Sequence, residues 1–405
     1  MKAPFKLALT ATLLSGIALA TPASATDKEL LNTLLENGVL TKAQHEKLMS
    51  QADEKEVKMT SKSSSILDMD WASRVKISGD MRVRYEDKQS DTKGVSESRQ
   101  RIRARLAIAA KINDEVDAGF RLVTGGGITS TNQDLEGGFI GKSVFFDRAF
   151  IDWHPDFAPG AHLIAGKMKQ PWYTLGKGLI WDTDVNPEGL ALTYEKKFGD
   201  AKVKATAGYF IVEDGKNLVA TSSANDGFSQ DQKMFHGGIS GEMKFTNAVK
   251  GSVGFNTYIY DDAIGNGVAD GDLNTDAELY EISGKLDVKT GLMPVKLYAQ
   301  YVVNAAASDG NQNVAWLAGV ATKYKKFSLD YNYRDTQVDA VVSTFNDSDF
   351  AFGVTGARGH KLSLGYKISK NFSTAVTYYA AQAYGVNNTD GDNIDVLHVD
   401  LKAKF

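Results

Sequence analysis

The feature that most constrains the fold is a series of segments in which apolar and polar residues alternate. In the first of these segments, the residues on the two faces are Val75, Ile77, Met81, Val83 and Tyr85 against Lys76, Ser78, Asp80, Arg82, Arg84 and Glu86. A period of two is typical of a β-strand with one apolar and one polar face. The segments are about 9 to 14 residues long, which exceeds the usual strand of a soluble sheet and suits a strand that crosses a membrane at a tilt.

About sixteen such segments fit between Val75 and Phe405, and those near 145–154 and 314–324 have mixed faces. Longer connections are expected near 88–98, 125–144, 168–187, 214–231, 262–276, 306–313, 336–359 and 384–392. Shorter ones alternate with them, near 113–115, 155–160, 199–200, 246–247, 289–294, 325–326 and 369–371. Outer-membrane barrels have short periplasmic turns and longer outer loops, and a sheet in lipid must close on itself. The pattern predicts a closed antiparallel transmembrane β-barrel of about sixteen strands, with both chain ends on the periplasmic side.

Composition agrees with a barrel and excludes other classes. The chain has 405 residues, 42% of them hydrophobic, with no cysteine and a formal net charge of −4. Strands that face lipid on one side and water on the other account for a mean hydropathy of −0.27. The absence of cysteine excludes disulfide scaffolds and thiolate metal sites. Mild acidity speaks against nucleic-acid binding, and only one apolar run is long enough to consider as a membrane helix.

That apolar run belongs to an export signal. Lys2 and Lys6 precede the apolar residues 7–20, and Ala23-Ser24-Ala25 provides small residues for cleavage after Ala25. This arrangement predicts a signal peptide over residues 1–25. An exported chain without disulfides is expected in the envelope of a Gram-negative bacterium, here in its outer membrane.

The next segment, 26–57, has the pattern of a short periplasmic helical region. Thr26 with Glu29, and Thr41 with Gln44, have the spacing of capping boxes, and leucines follow at helical intervals. Two short helices cannot bury their apolar stripes alone. They form either a hairpin that packs locally or an oligomerising coiled coil. Residues 58–74 are expected to be a linker, and 75–405 the barrel.

Arginine is concentrated in the first strands. Nine of the 11 arginines lie between Arg74 and Arg148. If apolar faces meet lipid, the arginines of the polar faces point into the lumen, because a cation at the lipid midplane costs about 2 to 4 kcal/mol. The predicted pore wall is Arg82, Arg84, Arg101, Arg103, Arg105 and Arg121.

Several stretches resemble a family of bacterial porins: SGDMRVRYE to AAKINDE (78–115), GGGITSTNQDLEGGF to FFDRAFIDW (125–153) and GKMKQPWYTLGKGLIWDTDVNPEGLALTYE (166–195). Residues 30–48 also resemble the helical N-terminal segment of phosphate-selective porins. The terminal Phe405 resembles the signal that the barrel-assembly machinery reads in outer-membrane barrels. The resemblance implies a water-filled channel, a homotrimer and contact with outer-membrane lipid.

By the same resemblance, the third long connection folds into the barrel as a constriction loop. Its residues include Lys169, Lys177, Asp182, Asp184 and Glu188, with Trp172, Tyr173 and Trp181 as apolar anchors. We expect its acidic residues to face the arginines and set up a transverse field. In the alternative, the arginines pair with wall residues Asp80, Glu86, Asp117 and Asp152, and select nothing.

Other signals are weak. Asp270, Asp272, Asn274 and Asp276, followed by Glu281, resemble a calcium loop, but Thr275 stands where such a loop needs glycine, so a solvated outer loop is predicted. No catalytic set, metal site or cofactor is indicated. The predicted function is passive diffusion of small hydrophilic solutes or ions, with an anion preference from the arginine wall. The alternative is a structural barrel that is tethered to periplasmic partners through its helices.

Overall fold

The computed structural model describes residues 32–37, 41–50, 73–91, 95–213, 232–261, 277–307, 310, 312–384 and 390–405. The chain divides into two compact units, residues 1–73 and 74–405. The predicted signal peptide, the capping box at Thr26 and most of the predicted linker lie outside the described residues. The predicted calcium ligands Asp270 to Asp276 do so as well.

In the first unit, residues 32–36 and 42–50 are helical. The backbone N–H of Thr41 donates to Oε1 of Gln44 over 3.0 Å, which is one of the two bonds expected of a capping box. His45 and Asn32 join the two helical stretches through a side-chain contact of 2.9 Å. In the part of the chain described by the structure, no helix has the length and apolarity needed to cross a membrane.

The second unit is a single antiparallel sheet, and its described part has seventeen strands. They are β1 (Val75–Ser90), β2 (Val95–Lys111), β3 (Val116–Val123), β4 (Gln133–Asp134), β5 (Phe145–Trp153), β6 (Ala161–Lys167), β7 (Glu188–Phe198), β8 (Ala201–Glu213), β9 (Gln232–Lys244), β10 (Val249–Asp261), β11 (Glu278–Lys289), β12 (Pro294–Asn304), β13 (Val314–Tyr324), β14 (Phe327–Thr336), β15 (Ala357–Lys367), β16 (Phe372–Tyr384) and β17 (Asp390–Lys404). Because β4 has two residues, sixteen long strands make the wall.

The sheet closes on itself. Each long strand pairs with its neighbours in sequence, and β17 pairs with β1 from Asp80↔Lys404 to Ser90↔Ile394. The backbones of Gly79 and Phe405 exchange two hydrogen bonds of 3.0 Å at this seam. A closed ladder leaves no sheet edge in lipid. The predicted sixteen-strand barrel is therefore confirmed, and the mixed segments near 145–154 and 314–324 form β5 and β13.

The two faces of the strands differ as the alternation predicts. On β1, Met81, Val83 and Tyr85 are exposed on the outside, while Arg82 and Arg84 between them are buried inside. The same order of exposed apolar and enclosed polar side chains recurs on β10 and β17. The apolar outside suits lipid, and the polar inside suits a water-filled lumen.

The lengths of the connections differ from the prediction at the ends of the barrel. The connections 91–94 and 385–389 are shorter than the turn 154–160, although the first two were expected to be long and the last one short. The reason is that β1, β2 and β17 extend beyond the alternating part of their sequences. Glu281 is also buried within β11.

Two of the long connections fold into the barrel. The first inner loop, residues 168–187, joins β6 to β7. The second inner loop, residues 337–356, joins β14 to β15 and contains 3-10 turns at Ser343–Phe345 and Ala351–Gly353. Their buried side chains form the apolar core of the molecule together with inward residues of β7 to β17.

Candidate pore constriction

The first inner loop crosses the lumen and contacts the far wall. Its Tyr173 hydroxyl lies 2.9 Å from Oγ of Ser252 on β10. Farther on, Lys177 forms an ion pair with Asp330 on β14. These contacts with inward side chains place the loop inside the barrel, where an enclosed segment narrows the space open to water.

Aromatic packing holds the outgoing arm of this loop, residues 168–176, together with Trp181 just past its tip. Trp172 lies between Phe210 on β8, His236 on β9 and Tyr258 on β10, with ring centroids 5.6, 4.8 and 5.4 Å away. Trp181 packs 5.1 Å from Trp172. Both tryptophans are buried, so this side of the lumen is filled by a protein core rather than by solvent.

A glycine on the wall makes room for the next residue of the arm. A Cβ atom on Gly254 would lie 2.3 Å from Cδ1 of Tyr173, and Asn256 on the same strand donates to the Tyr173 carbonyl over 3.1 Å. Glycine at this position therefore lets the loop lie directly against β10.

The tip of the loop is fixed to the opposite wall. The ammonium of Lys177 stands 4.2 Å from the ring centroid of Tyr298, and Arg334 donates to the Lys177 carbonyl over 2.8 Å. Burial lowers the pKa of Lys177, against the opposing effect of its ion pair with Asp330. The tip is thus tied to β12 and β14 by charge as well as by packing.

The returning arm meets the arginines of β2 and β5. Asp184 forms an ion pair of 3.2 Å with Arg105 and accepts a hydrogen bond from the Thr131 hydroxyl. Asn186 accepts a bond of 2.6 Å from Arg148. Of the acidic loop residues that were expected to face arginines, the structure places Asp184 there.

The other predicted loop residues lie elsewhere. Glu188 is the first residue of β7 and pairs with Lys167 on β6. Lys169 is exposed on the periplasmic side of the loop. Asp182 forms no ion pair with a described cation, but it contacts the second inner loop.

That second inner loop carries acidic residues that the sequence reading missed. Asp349 lies 3.2 Å from Arg84, and Asp347 lies 3.3 Å from Arg334. The wall arginines therefore face carboxylates from two loops rather than one. The run Asp347-Ser348-Asp349 was the available signal, but such a run is also common in solvated loops.

Part of the arginine wall is balanced by acids of the wall itself. Arg84 forms a 2.7 Å ion pair with Asp400. Arg99 and Arg101 both pair with Glu86, and Arg101 also pairs with Asp134 over 2.7 Å. Lower on the same strands, Asp80 pairs with Arg103 and Arg105, and Arg121 on β3 pairs with Asp147.

The alternative, in which the arginines pair with acids of the wall, holds for two of the four acids. Asp80 and Glu86 do pair with arginines, whereas Asp117 and Asp152 contact His154 and His162.

Two guanidiniums have no acidic partner among the described residues. Arg82 is 9% exposed and donates to Oδ1 of Asn132 over 2.5 Å, and its Nε has no partner. It also stands directly opposite Arg103 across β1 and β2. Arg148 is held by Asn186 and stands opposite Arg121. Because like charges directly opposite each other are unfavourable, this part of the wall has uncompensated positive charge.

Lysines line the space between the first inner loop and the short turns of the barrel, which are expected to face the periplasm. They are Lys169, Lys177, Lys202, Lys204, Lys285, Lys296 and Lys323. The acids in the same linings are fewer: Glu195, Glu242, Asp287 and Asp330. The vestibule below the loop is therefore positive on balance.

One cluster has the residue types of a metal site. Ligand atoms of Glu86, Asp349 and His398 lie within 4.8 Å of one another. Arg84, Arg99, Arg101 and Lys88 already contact the carboxylate of Glu86. A metal cation there would face four positive side chains, so the cluster suits a buried ion-pair hub and not a metal.

A closed sixteen-strand barrel with a polar lumen, an apolar outside and an inner loop defines an outer-membrane channel of the porin class. The sequence matches the family described as "Putative porin" over residues 91–334 and 323–405, and the chain belongs to that family. No curated protein showed significant sequence similarity to the chain.

Solved structures share the fold. The outer membrane channel DcaP of Acinetobacter baumannii is 15% identical, with a TM-score of 0.51 over 82% of this chain and 97% of its own. OprB of Pseudomonas putida is 11% identical, with a TM-score of 0.55 over 82% of this chain and 95% of its own. At these identities the likeness concerns the fold alone.

Proposed function

We propose that the protein lets small hydrophilic solutes or ions diffuse passively across the outer membrane, past a constriction between its inner loops and the arginine wall. The observation that carries this proposal is the bond between Asp184 of the first inner loop and Arg105 of the wall. It fixes the loop to the charged wall inside the lumen, where the loop limits the size of a passing solute and the charged groups of loop and wall provide a transverse field.

We also propose that the channel prefers anions. Arg82 and Arg148 lack acidic partners among the described residues, and the periplasmic vestibule has more lysines than acids. Guanidinium stays charged and offers planar donors that suit carboxylate and phosphate oxygens. The uncompensated positive charge of the wall therefore favours anions over cations at the constriction.

The test is a measurement in planar bilayers, with the wild type compared with Arg103→Ala/Arg105→Ala. We expect stable open channels in the wild type and a reversal potential, under a salt gradient, with the sign of anion preference. The double variant is expected to conduct more and to select less. Unchanged conductance and unchanged selectivity in the variant would overturn the constriction.

The surroundings of the channel are part of the same proposal. The signal peptide directs export and is cleaved after Ala25, the barrel-assembly machinery recognises the end at Phe405, and the barrel sits in lipid as a homotrimer. The helical residues 32–36 and 42–50 offer Leu48, which is exposed in the single chain, as part of an apolar stripe for association. An unboiled sample is expected to migrate near three times the monomer mass, and a monomer in mild detergent would contradict the trimer.

A structural role is the second candidate, because the inner loops fill much of the lumen with buried aromatic and ion-paired side chains. In that role, the helical segment tethers the barrel to periplasmic partners and the pore conducts nothing. Insertion into the bilayer without current would favour it over the channel.

A further inference from the structure

We propose that the second inner loop completes the constriction, and that Asp182 of the first loop carries a proton beside Asp347 of the second; loss of that proton shifts ion selectivity toward cations. This proposal rests on the proposed channel function and adds a specificity-determining pair to it.

The two loops are joined into one unit by their backbones. The N–H of Asp182 donates to the Phe345 carbonyl over 2.6 Å, and the N–H of Asp347 donates to the Gly178 carbonyl over 3.0 Å. The Trp181 and Phe345 rings stack with centroids 5.2 Å apart. A Cβ on Gly178 would lie 2.6 Å from Cβ of Asp347, so glycine permits this close approach.

The second loop is also fixed to the wall on its other side. Asp347 lies 3.3 Å from Arg334 on β14 and 3.9 Å from Lys361 on β15. Asp349 lies 3.2 Å from Arg84 on β1 and 3.9 Å from His398 on β17. The loop therefore bridges the first inner loop and four strands of the wall, which is the position of a second constriction element.

The charges around Asp182 explain why it holds the proton. Asp347 has Arg334, Asp349 has Arg84 and Asp184 has Arg105, so each of these three carboxylates has a cationic partner. Among the described residues, the Asp182 carboxylate has no such partner and accepts only the backbone N–H of Asp184, over 2.8 Å. A fourth negative charge, on Asp182, beside these three is therefore the least favourable of the four.

Burial, followed by the charges of Asp347 and Asp184, raises the pKa of Asp182 to about 8. The neutral form therefore dominates at pH 7, when about one molecule in ten is ionised, and the ionised form dominates at pH 9. Ionisation adds one negative charge at the level of the arginine wall. The added charge attracts cations and offsets the wall, so anion preference falls as pH rises.

The experiment measures reversal potentials of the full-length channel in a KCl gradient at pH 7 and pH 9, an interval above the usual titration of histidine. We expect the cation-to-anion permeability ratio of the wild type to rise about twofold or more. Asp182→Asn should keep its pH 7 ratio at pH 9. Asp114→Asn, in an exposed periplasmic turn, should behave as the wild type.

Asp347→Asn provides the second variant, because it keeps the titrating group and removes its acidic neighbour. Its transition should move to lower pH, so that most of the rise occurs below pH 8. Open wild-type channels without a pH response, or a response that Asp182→Asn retains, would overturn this proposal and leave the channel function intact. Wild-type barrels that never conduct would overturn both.

Discussion

The two arms of the first inner loop lie on opposite kinds of wall. Trp172 of the outgoing arm, joined by Trp181 just past the tip, packs among aromatic residues of β8 to β10, whereas the end of the returning arm bonds through Asp184 and Asn186 to arginines of β2 and β5. The aromatic side fixes where the loop lies. The charged side leaves the polar groups that a passing solute would meet. Within one loop, the aromatic residues therefore anchor the chain and the polar residues select the solute.

The largest effect is expected from a substitution in the aromatic packing that anchors the first inner loop. Trp181→Ala removes a buried ring from between Trp172, Tyr258 and Phe345, and should lower the free energy of unfolding by about 3–5 kcal/mol. Single-channel conductance should rise because the loop loses its anchor. The control is Trp316→Ala on the outside of β13, which should leave conductance unchanged. Equal conductance of wild type and Trp181→Ala would contradict the anchoring role.

The next prediction compares substitutions of two neighbouring arginines in the charged wall. Arg84→Gln removes a buried guanidinium that contacts three carboxylates, those of Glu86, Asp349 and Asp400, and should destabilise the barrel by about 3–5 kcal/mol, since removing one partner of a buried ion pair is costly. Arg82→Gln removes a guanidinium that has no acidic partner among the described residues, so it should leave stability near the wild type and reduce anion selectivity. Chemical denaturation measures the stability of both variants, and reversal potentials measure their ion selectivity. The reverse order of stabilities would be inconsistent with this assignment.

A smaller effect tests the close contact between loop and wall. Gly254→Ala places a methyl group against the ring of Tyr173 and should cost about 1–3 kcal/mol of stability. Gly241→Ala on the adjacent strand β9 meets nothing within 4 Å and serves as the control. If thermal unfolding of the two variants is indistinguishable, the loop does not lie against β10 as described.

The smallest effect on the pore is expected from the helical unit. Deletion of residues 26–57 should lower the temperature at which the trimer dissociates and leave single-channel conductance unchanged, because the constriction is built from residues of the second unit, 74–405. Semi-native electrophoresis over a temperature series measures this. A trimer of unaltered heat resistance would assign the association to the barrel wall alone.

The barrel could be predicted from the sequence because alternation is local: residues two apart share a face wherever the strand lies. The first inner loop could be placed inside the barrel because of the resemblance to porins, with its tryptophans as expected anchors. The second could not, because Asp347 and Asp349 meet Arg334 and Arg84 only after the sheet has closed. Glu188 was predicted to lie in the constriction loop but is the first residue of β7. Its place is decided by the neighbouring strand, because the ladder with β6 puts it opposite Lys167.

The lengths of the connections were also hard to predict. Strand β2 continues through polar residues near its upper end, where Arg101 pairs with Asp134 of β4. Alternation ends at the edge of the membrane, whereas hydrogen bonding between strands does not. The alternation in the sequence therefore underestimates the length of strands that extend beyond the lipid.

The most direct test of the central claim places a reporter at the narrow level. The chain has no cysteine, so Asp182→Cys introduces a single thiol where the two inner loops meet. We predict that a negatively charged, membrane-impermeant thiol reagent reduces the current of open Asp182→Cys channels in discrete steps, while Asp114→Cys channels keep their current. Full modification of the Asp182→Cys thiol without any change in current would contradict a conducting path past the inner loops.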